Sequence, residues 1–407
     1  MFSDFKFLVV AGIGLFGDGY LNVSIGLVVP MIGYIYYQDT GNTVPTVPAD
    51  IIKGALSIGM VMGQFLFGLF GDTLGRRHVY GKELLVTIIG TLLVILMPWK
   101  NLSHNSVVAW LSVFRVVSGI GTGGVYARLT MPETKPYEEY VGAESSLQRG
   151  HRGLKKQLRD FQEYFAVWKH AKVLFATCSC WFLFDIAFYG ISLNQSVILG
   201  KIGFGIGETP WETLHNTAIG NIIVCAAGFL PGYYLAMFLP DIIGRIKQQV
   251  ICSLAVAVLY AIWAGVTDHT SAGGLITLFT FSQFFLCVGP SATTFLIPVE
   301  VFPTRVRATA HGLSAASGKV GAILAAFTFG TVTDKIGLKG VLGLFSGIMA
   351  LVALITLLIP ETKGRTIAEI ESGVLYGGSV LAVPETEDGS ETEARAVKEA
   401  KAQATVV

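Results

Sequence analysis

Apolar residues along this chain come in long blocks separated by short polar interruptions. Blocks long enough to cross a bilayer, roughly 20 mostly apolar residues each, lie near 5–37, 51–70, 84–99, 106–126, 172–199, 217–239, 248–266, 273–298, 309–332 and 340–359. The pattern predicts an all-α polytopic membrane protein with ten spans. The first block starts within six residues of Met1 and is too long for a signal-peptide core, so it reads as span one. Two stretches break the pattern. Residues 127–171 are polar, with Leu154, Leu158, Phe161, Phe165 and Trp168 recurring at helical spacing opposite Lys155, Lys156 and Arg159. That stretch reads as an amphipathic helix on the membrane surface or the bundle, or equally as a solvated linker helix. From about 383 the chain is charged, poor in large apolar residues, and expected to be disordered.

Composition agrees. Of 407 residues, 52% are hydrophobic and 14% charged, with a mean hydropathy of +0.60, which one core under an ordinary polar surface cannot accommodate. Sorting the 29 Lys and Arg by loop gives 22 on one side and 5 on the other (Lys53, Lys100, Lys201, Lys335, Lys339), with Arg115 and Lys319 inside spans. The positive-inside rule then places both termini in the cytoplasm. The net charge of +1 reflects this topology and gives no reason to expect a nucleic-acid partner. The five cysteines all fall in spans without metal-ligand spacing and read as packing residues.

The chain repeats itself. "FGDTLGRR" at 70–77 and "LPDIIGRI" at 239–246 are each a D-x-x-G-R loop after an even-numbered span, and Asp72 and Asp241 are 169 residues apart. A mid-span carboxylate precedes each, Asp18 and Asp185, 167 apart. Downstream the register changes: P-E-T recurs at Pro132–Thr134 and Pro360–Thr362, an offset of 228. The first half therefore lacks about two helices relative to the second, and "GTGGVYARLTMPET" is the place where a helix is most abruptly cut short. The expected organisation is a truncated bundle over 1–126, a linker with the amphipathic helix over 127–171, a six-helix bundle over 172–362 and a polar tail over 363–407.

Charges inside spans cost about 2.5–3.5 kcal/mol each on insertion scales, so Asp18, Arg115, Asp185 and Lys319 need a reason. In "CWFLFDIAFYGISLNQS", Trp181, Asp185 and Tyr189 fall at i, i+4 and i+8, setting an indole, a carboxylate and a phenol on one helix face. Lys319, in "SAASGKVGAILAA", is flanked by small residues that permit close helix packing. Asp185 and Lys319 are candidates for a functional site, or for a structural ion pair. Asp18, beside Gly19 and Asn22, is a functional candidate or a polar break used in packing. Arg115 reads more simply as satisfying backbone carbonyls or carboxylates. "GIGTGG" at 119–124 lies within a span after no strand, so it signals close helix packing and no dinucleotide. No nucleophile–base pair, H-E-x-x-H or P-loop is found, and no enzyme activity, metal or cofactor is expected.

The D-x-x-G-R loops, "PETKGRT" at 360–366 and the repeat resemble the major facilitator superfamily. More narrowly, "CWFLFDIAFYGISLNQSVIL" and "GPSATTFLIPVEVFPTRVRATAHGLSAASGKVGA" resemble the fungal and plant phosphate:proton symporters, over about residues 5–370. That resemblance implies a two-bundle, alternating-access transporter of inorganic phosphate and protons in the plasma membrane. It implies phosphate contacts at Trp181, Asp185, Tyr189, Lys319 and Ser291, and proton movement at Asp18 and Asp185. It also implies gating loops at Asp72, Gly75, Arg76 and at Asp241, Gly244, Arg245. Three departures stand out. Leu21 replaces a second acidic residue, Ser291 replaces an asparagine, and Gly124 runs directly into Val125 where the family continues into D-Y-P-[LM]-S and two further helices. The departure implies either an internal deletion from a twelve-helix parent or a ten-helix variant. Alternative functions within reach are a glycerophosphodiester permease of the same family or a non-transporting phosphate sensor, with a sugar porter further off because Lys319 suits an anion.

Overall fold

A computed structural model describes residues 19–22, 24–74, 82–98, 102–129, 154–365 and 369–370. The expectations for Asp18, Gly75, Arg76 and the tail from 383 lie outside the described residues, as does the side chain of Asp72. The chain divides into two units, Met1–Lys363 and Gly364–Val407.

Among the described residues of the first unit, the regular elements are helices. They form α1 (Gly19–Tyr36), α2 (Thr46–Leu74), α3 (Lys82–Ile95), α4 (His104–Leu129), α5 (Leu154–Phe165), α6 (Trp168–Ser192) and α7 (Gln195–Lys201). Then follow α8 (Pro210–Ala236), α9 (Leu239–Ile243), α10 (Arg245–Val266), α11 (Ala272–Val288), α12 (Pro290–Val301) and α13 (Thr304–Thr356). Among the described residues, seven stretches are long and apolar enough to cross a membrane, one of them the 48 residues Thr309–Thr356. At 1.5 Å per residue that stretch would extend about 72 Å, more than twice a hydrocarbon core of about 30 Å. Gly337 breaks it, with φ 71° and ψ 171°, and so separates the two spans expected at 309–332 and 340–359. With α2 and α3 the described helices match the ten expected blocks.

Two blocks are interrupted where continuous helices were expected. The block at 172–199 stops at Ser192 and restarts at Gln195, because the Asn194 side-chain amide donates back to the Gly190 carbonyl at 2.9 Å and its oxygen accepts from Lys53 at 2.6 Å. The block at 273–298 breaks at Gly289, followed by Pro290, which has no N–H to continue the ladder. A third block, at 217–239, begins earlier, at Pro210. Thr209 accepts from the Glu212 N–H and the Glu212 carboxylate accepts from the Thr209 N–H, a capping box with Pro210 in the first turn. Within α8 the turn Cys225–Phe229 is π-helical, next to Pro231, whose missing N–H disrupts the normal ladder.

The amphipathic helix ends at Phe165, shorter than the spacing suggested. Trp168 starts α6 and is 74% exposed. The C-terminal end of α5 packs on protein: Phe165 meets Phe302 edge-on with centroids 5.7 Å apart, and Tyr164 stacks on His170 at 4.1 Å, while Leu158 stays exposed.

"GIGTGG" is a helix crossing. A Cβ on Gly119 or Gly123 would strike the backbone of Leu56 or Met60 in α2, and one on Gly59 or Gly63 would strike Val116 or Ile120 in α4. Helix α4 continues unbroken through Gly124 and Val125 to Leu129. Arg115 donates from Nε to the Ile52 carbonyl at 3.0 Å and from Nη1 to the Leu21 carbonyl at 3.2 Å, which ties α1, α2 and α4 together. This favours its structural reading.

The halves meet toward the rim that carries Asn42 and Asn194. Small residues Ala322, Ala325 and Ala326 of α13 are buried with Ile25, Val29 and Ile32 of α1. Gly54 faces the Phe327 ring, Ser196 donates to the Gly26 carbonyl at 2.6 Å, and Thr46 donates to Asp334 at 3.4 Å. Lys53, assigned above to a loop, is 5% exposed within this seam.

Gly123→Leu is expected to cost roughly 1–3 kcal/mol or more, because backbone rather than a yielding side chain opposes the new group. Thermal unfolding in detergent should show a lower midpoint. Gly347→Ala, where nothing lies within 4 Å, should leave the midpoint unchanged or higher.

Candidate functional site

Helix α6 turns Trp181, Asp185 and Tyr189 to α13, which meets them with Lys319. Two glycines permit the approach, since a Cβ on Gly318 would strike the Trp181 indole and one on Gly321 the Phe182 carbonyl. Lys319 Nζ donates to the Tyr189 hydroxyl at 2.7 Å, stands 3.6 Å from Asp185 Oδ2, and lies 4.6 Å from the centroid of the Tyr189 ring. Asp185 is 2% exposed and Lys319 4%. At 3.6 Å the ammonium neutralises the carboxylate without a direct hydrogen bond between them, while it donates to the Tyr189 hydroxyl. One cation held between a carboxylate and a phenol can exchange one of them for an incoming anion.

The fifth expected contact, Ser291, sits at the start of α12 and lies 2.8 Å from the Tyr233 hydroxyl. Sequence reasoning missed Tyr233, whose neighbours in "LPGYYLAMF" give no sign of which tyrosine meets Ser291. Lys53 and Asn194 were missed too, although the "ADIIKGAL" spacing of Asp50 and Lys53 was a usable sign.

At the other rim, the second D-x-x-G-R loop forms a charged clamp. Arg245 pairs with Asp241 at 2.9 Å and forks onto Glu300 through Nε and Nη2, both at 2.9 Å. Gly244 holds φ at 97°, where a Cβ would also press on Glu361. The Glu361 carboxylate, from the P-E-T-K-G segment, accepts the Arg245 and Ile246 N–H groups at 3.0 and 3.1 Å, and so caps the positive end of α10. Thr362 donates to Glu300 at 2.5 Å. Three sequence-distant segments are thereby tied together.

Two spans of the helical bundle thus share a buried ion pair, and a charged clamp fastens one rim. The pattern of the family described as sugar (and other) transporter matches residues 7–134 and 211–373. A putative inorganic phosphate transporter of Schizosaccharomyces pombe is 32% identical, with 92% of this chain and 89% of that protein covered. The inorganic phosphate transporter PHO84 of Saccharomyces cerevisiae is 30% identical, covering 90% and 84%. Among solved structures, the proton:xylose symporter XylE bound to 6-bromo-6-deoxy-D-glucose superposes with a TM-score of 0.64 at 17% identity, covering 90% of this chain and 98% of that one. The inward-open xylose transporter XylE from E. coli gives 0.61 at 14%, covering 90% and 99%. At these identities the likeness is one of fold. The chain belongs to the sugar (and other) transporter family of the major facilitator superfamily, alongside its inorganic phosphate transporters. The match to the S. pombe relative extends over 512 positions against 407 residues here, so at least 105 positions of that relative have no counterpart in this chain.

Removing one partner of a buried ion pair costs about 3–5 kcal/mol, whereas removing both costs far less. Lys319→Met alone should therefore lower the unfolding midpoint strongly, and Asp185→Asn combined with Lys319→Met should recover more than half of that loss. Thermal unfolding of the three proteins in detergent checks this.

Proposed function

We propose that this chain is a proton-coupled inorganic phosphate symporter by design, with its binding site between α6 and α13. The observation that supports this best is Lys319 held between Asp185 and Tyr189, in a chain whose relatives are named inorganic phosphate transporters. A proton on Asp185 would cancel its charge and free the ammonium for an anion. Phosphate would take its place, with the Tyr189 phenol and the Trp181 indole as further donors and the Ser291 hydroxyl at the edge. The two ligands are then thermodynamically linked. Asp18 is the proton-site candidate on the first helix. The Asp241–Gly244–Arg245 clamp, with its counterpart at Asp72, Gly75 and Arg76, would hold and release the cytoplasmic rim during alternating access. The seam at Lys53 and Asn194 would be the opposite, external gate, closed here. With both termini cytoplasmic, the plasma membrane is the location we infer. Transport rather than catalysis is the activity this arrangement serves.

One observation favours a second reading, binding without transport. The positions missing relative to the relatives, placed by us at the Gly124–Val125 join, would remove two helices and their share of the phosphate cage from the first bundle. In that case the second bundle binds phosphate and signals or regulates, but no flux follows.

Purified chain should bind labelled phosphate, and unlabelled phosphate should displace it while glucose and glycerophosphocholine do not. Asp185→Asn/Lys319→Met, which keeps the core neutral, should lose at least about tenfold in affinity, as expected for losing a charge-assisted hydrogen bond. Displacement by glucose alone would overturn the substrate assignment. Uptake into proteoliposomes then separates the two readings, since the symporter moves phosphate with a proton gradient and the sensor moves none.

A further inference from the structure

Two carboxylates from different halves of the molecule act on each other across the closed outer seam. Asp50 stands at the outer end of α2, just before the apolar block at 51–70, and is 4% exposed. Helix α13 covers it: a Cβ on Gly330 would lie 3.3 and 3.4 Å from its two carboxylate oxygens and would strike the Thr46 methyl. One turn further along α13 is Asp334, which stays exposed and accepts from the Thr46 hydroxyl at 3.4 Å. Lys53 follows Asp50 by three residues, but its ammonium goes to Asn194 Oδ1 at 2.6 Å, so its charge reaches the Asp50 carboxylate through space. Among the described residues, Lys53 and Asp334 are the charges that act on Asp50. His104, at the same rim, is exposed and stacked on Tyr37. A seam that needed only packing would gain nothing from an acid here, because a buried carboxylate is costly in its charged form.

Opening and closing treat the two protonation states of Asp50 differently. In the closed seam the carboxylate is out of water and near a second one, and both conditions favour the protonated form. When α13 withdraws, water returns to it. We propose that Asp50 is a proton-operated latch on the outer gate, which holds the seam shut when it has taken a proton from the external medium and loosens it when the proton leaves. Burial, opposed by Lys53 and reinforced by Asp334, pushes the Asp50 carboxyl up from 3.8 to about 6 in the closed seam. A group that holds its proton more tightly in one state stabilises that state at low pH. The latch is therefore fully engaged below about 4, the value of the hydrated carboxylate, and is lost as pH rises through about 6. That difference corresponds to roughly a hundredfold change in the closed-to-open ratio. An external proton that shuts the outer gate would give a symporter's inward step its direction.

The latch rests on the reading of this seam as the external gate, and its test separates the two. Nitroxide labels are placed at Val47→Cys on α2 and Ile336→Cys on α13, both exposed beside the Thr46 to Asp334 contact. The full chain carries Cys178→Ser and Cys225→Ser, which remove the native cysteines that are not buried. The separation of the labels is measured by double electron-electron resonance in detergent between about pH 4 and pH 8, the range that brackets the titration, without and with inorganic phosphate. The short separation should dominate at the acid end and give way to a longer one, the ratio of the two falling roughly a hundredfold. Asp50→Asn should keep the short separation throughout. Asp334→Asn, which removes the neighbouring charge, should move the transition to lower pH, and that shift decides should Asp50→Asn not fold. A pH response that persists unchanged in Asp50→Asn, or a midpoint that does not move in Asp334→Asn, overturns the latch. If phosphate alters the separation while pH does not, the seam is a gate and only the latch fails. If neither alters it, the gate reading fails and takes the latch with it.

Discussion

The structure depends on how closely α6 and α13 approach. Gly318 and Gly321 bring the backbone of one helix against Trp181 and Phe182 of the other, and only at that separation can Lys319 reach both Asp185 and Tyr189. In a bilayer, where apolar burial no longer drives helices together, such contacts rely on small residues and polar bonds. The same residues that permit the packing therefore bring the charges together. A larger residue at 318 would push the indole away and widen the gap that the ion pair must span.

Around this pair the molecule is held differently at its two rims. At one, α1, α2 and α7 of different halves meet through Lys53, Asn194, Ser196 and the alanines of α13. At the other, Arg245, Glu300 and Glu361 bind the second half to itself. In the proposed symport cycle Lys319 would exchange partners at the centre while the separate fastenings at the two rims open in turn. Both kinds of contact can be broken without unfolding the helices that carry them.

Much of this was legible in the chain. The ten apolar blocks, the D-x-x-G-R loops, the facing of Trp181, Asp185 and Tyr189, and the closeness of Lys319 to small residues all follow from periodicity and from the cost of charge in lipid. The break at Asn194 was not legible, because it depends on Lys53, a residue 141 positions away. The Gly337 turn was legible only as a gap between two blocks, and Trp168 kept the helical spacing of α5 while belonging to α6. Tyr233 escaped notice because nothing local distinguishes the tyrosine that meets Ser291 from its neighbour Tyr234. Burial and partnership across helices are properties of the fold.

The central claim is that Asp185 and phosphate compete for Lys319 through a proton. Titration calorimetry of phosphate binding to the purified chain, in buffers of different ionisation enthalpy, measures the protons taken up per phosphate after subtracting phosphate's own titration. The account predicts about one proton for the wild type and close to none for Asp185→Asn, as linkage requires when that carboxylate is the coupled group. Equal uptake by both proteins would contradict it.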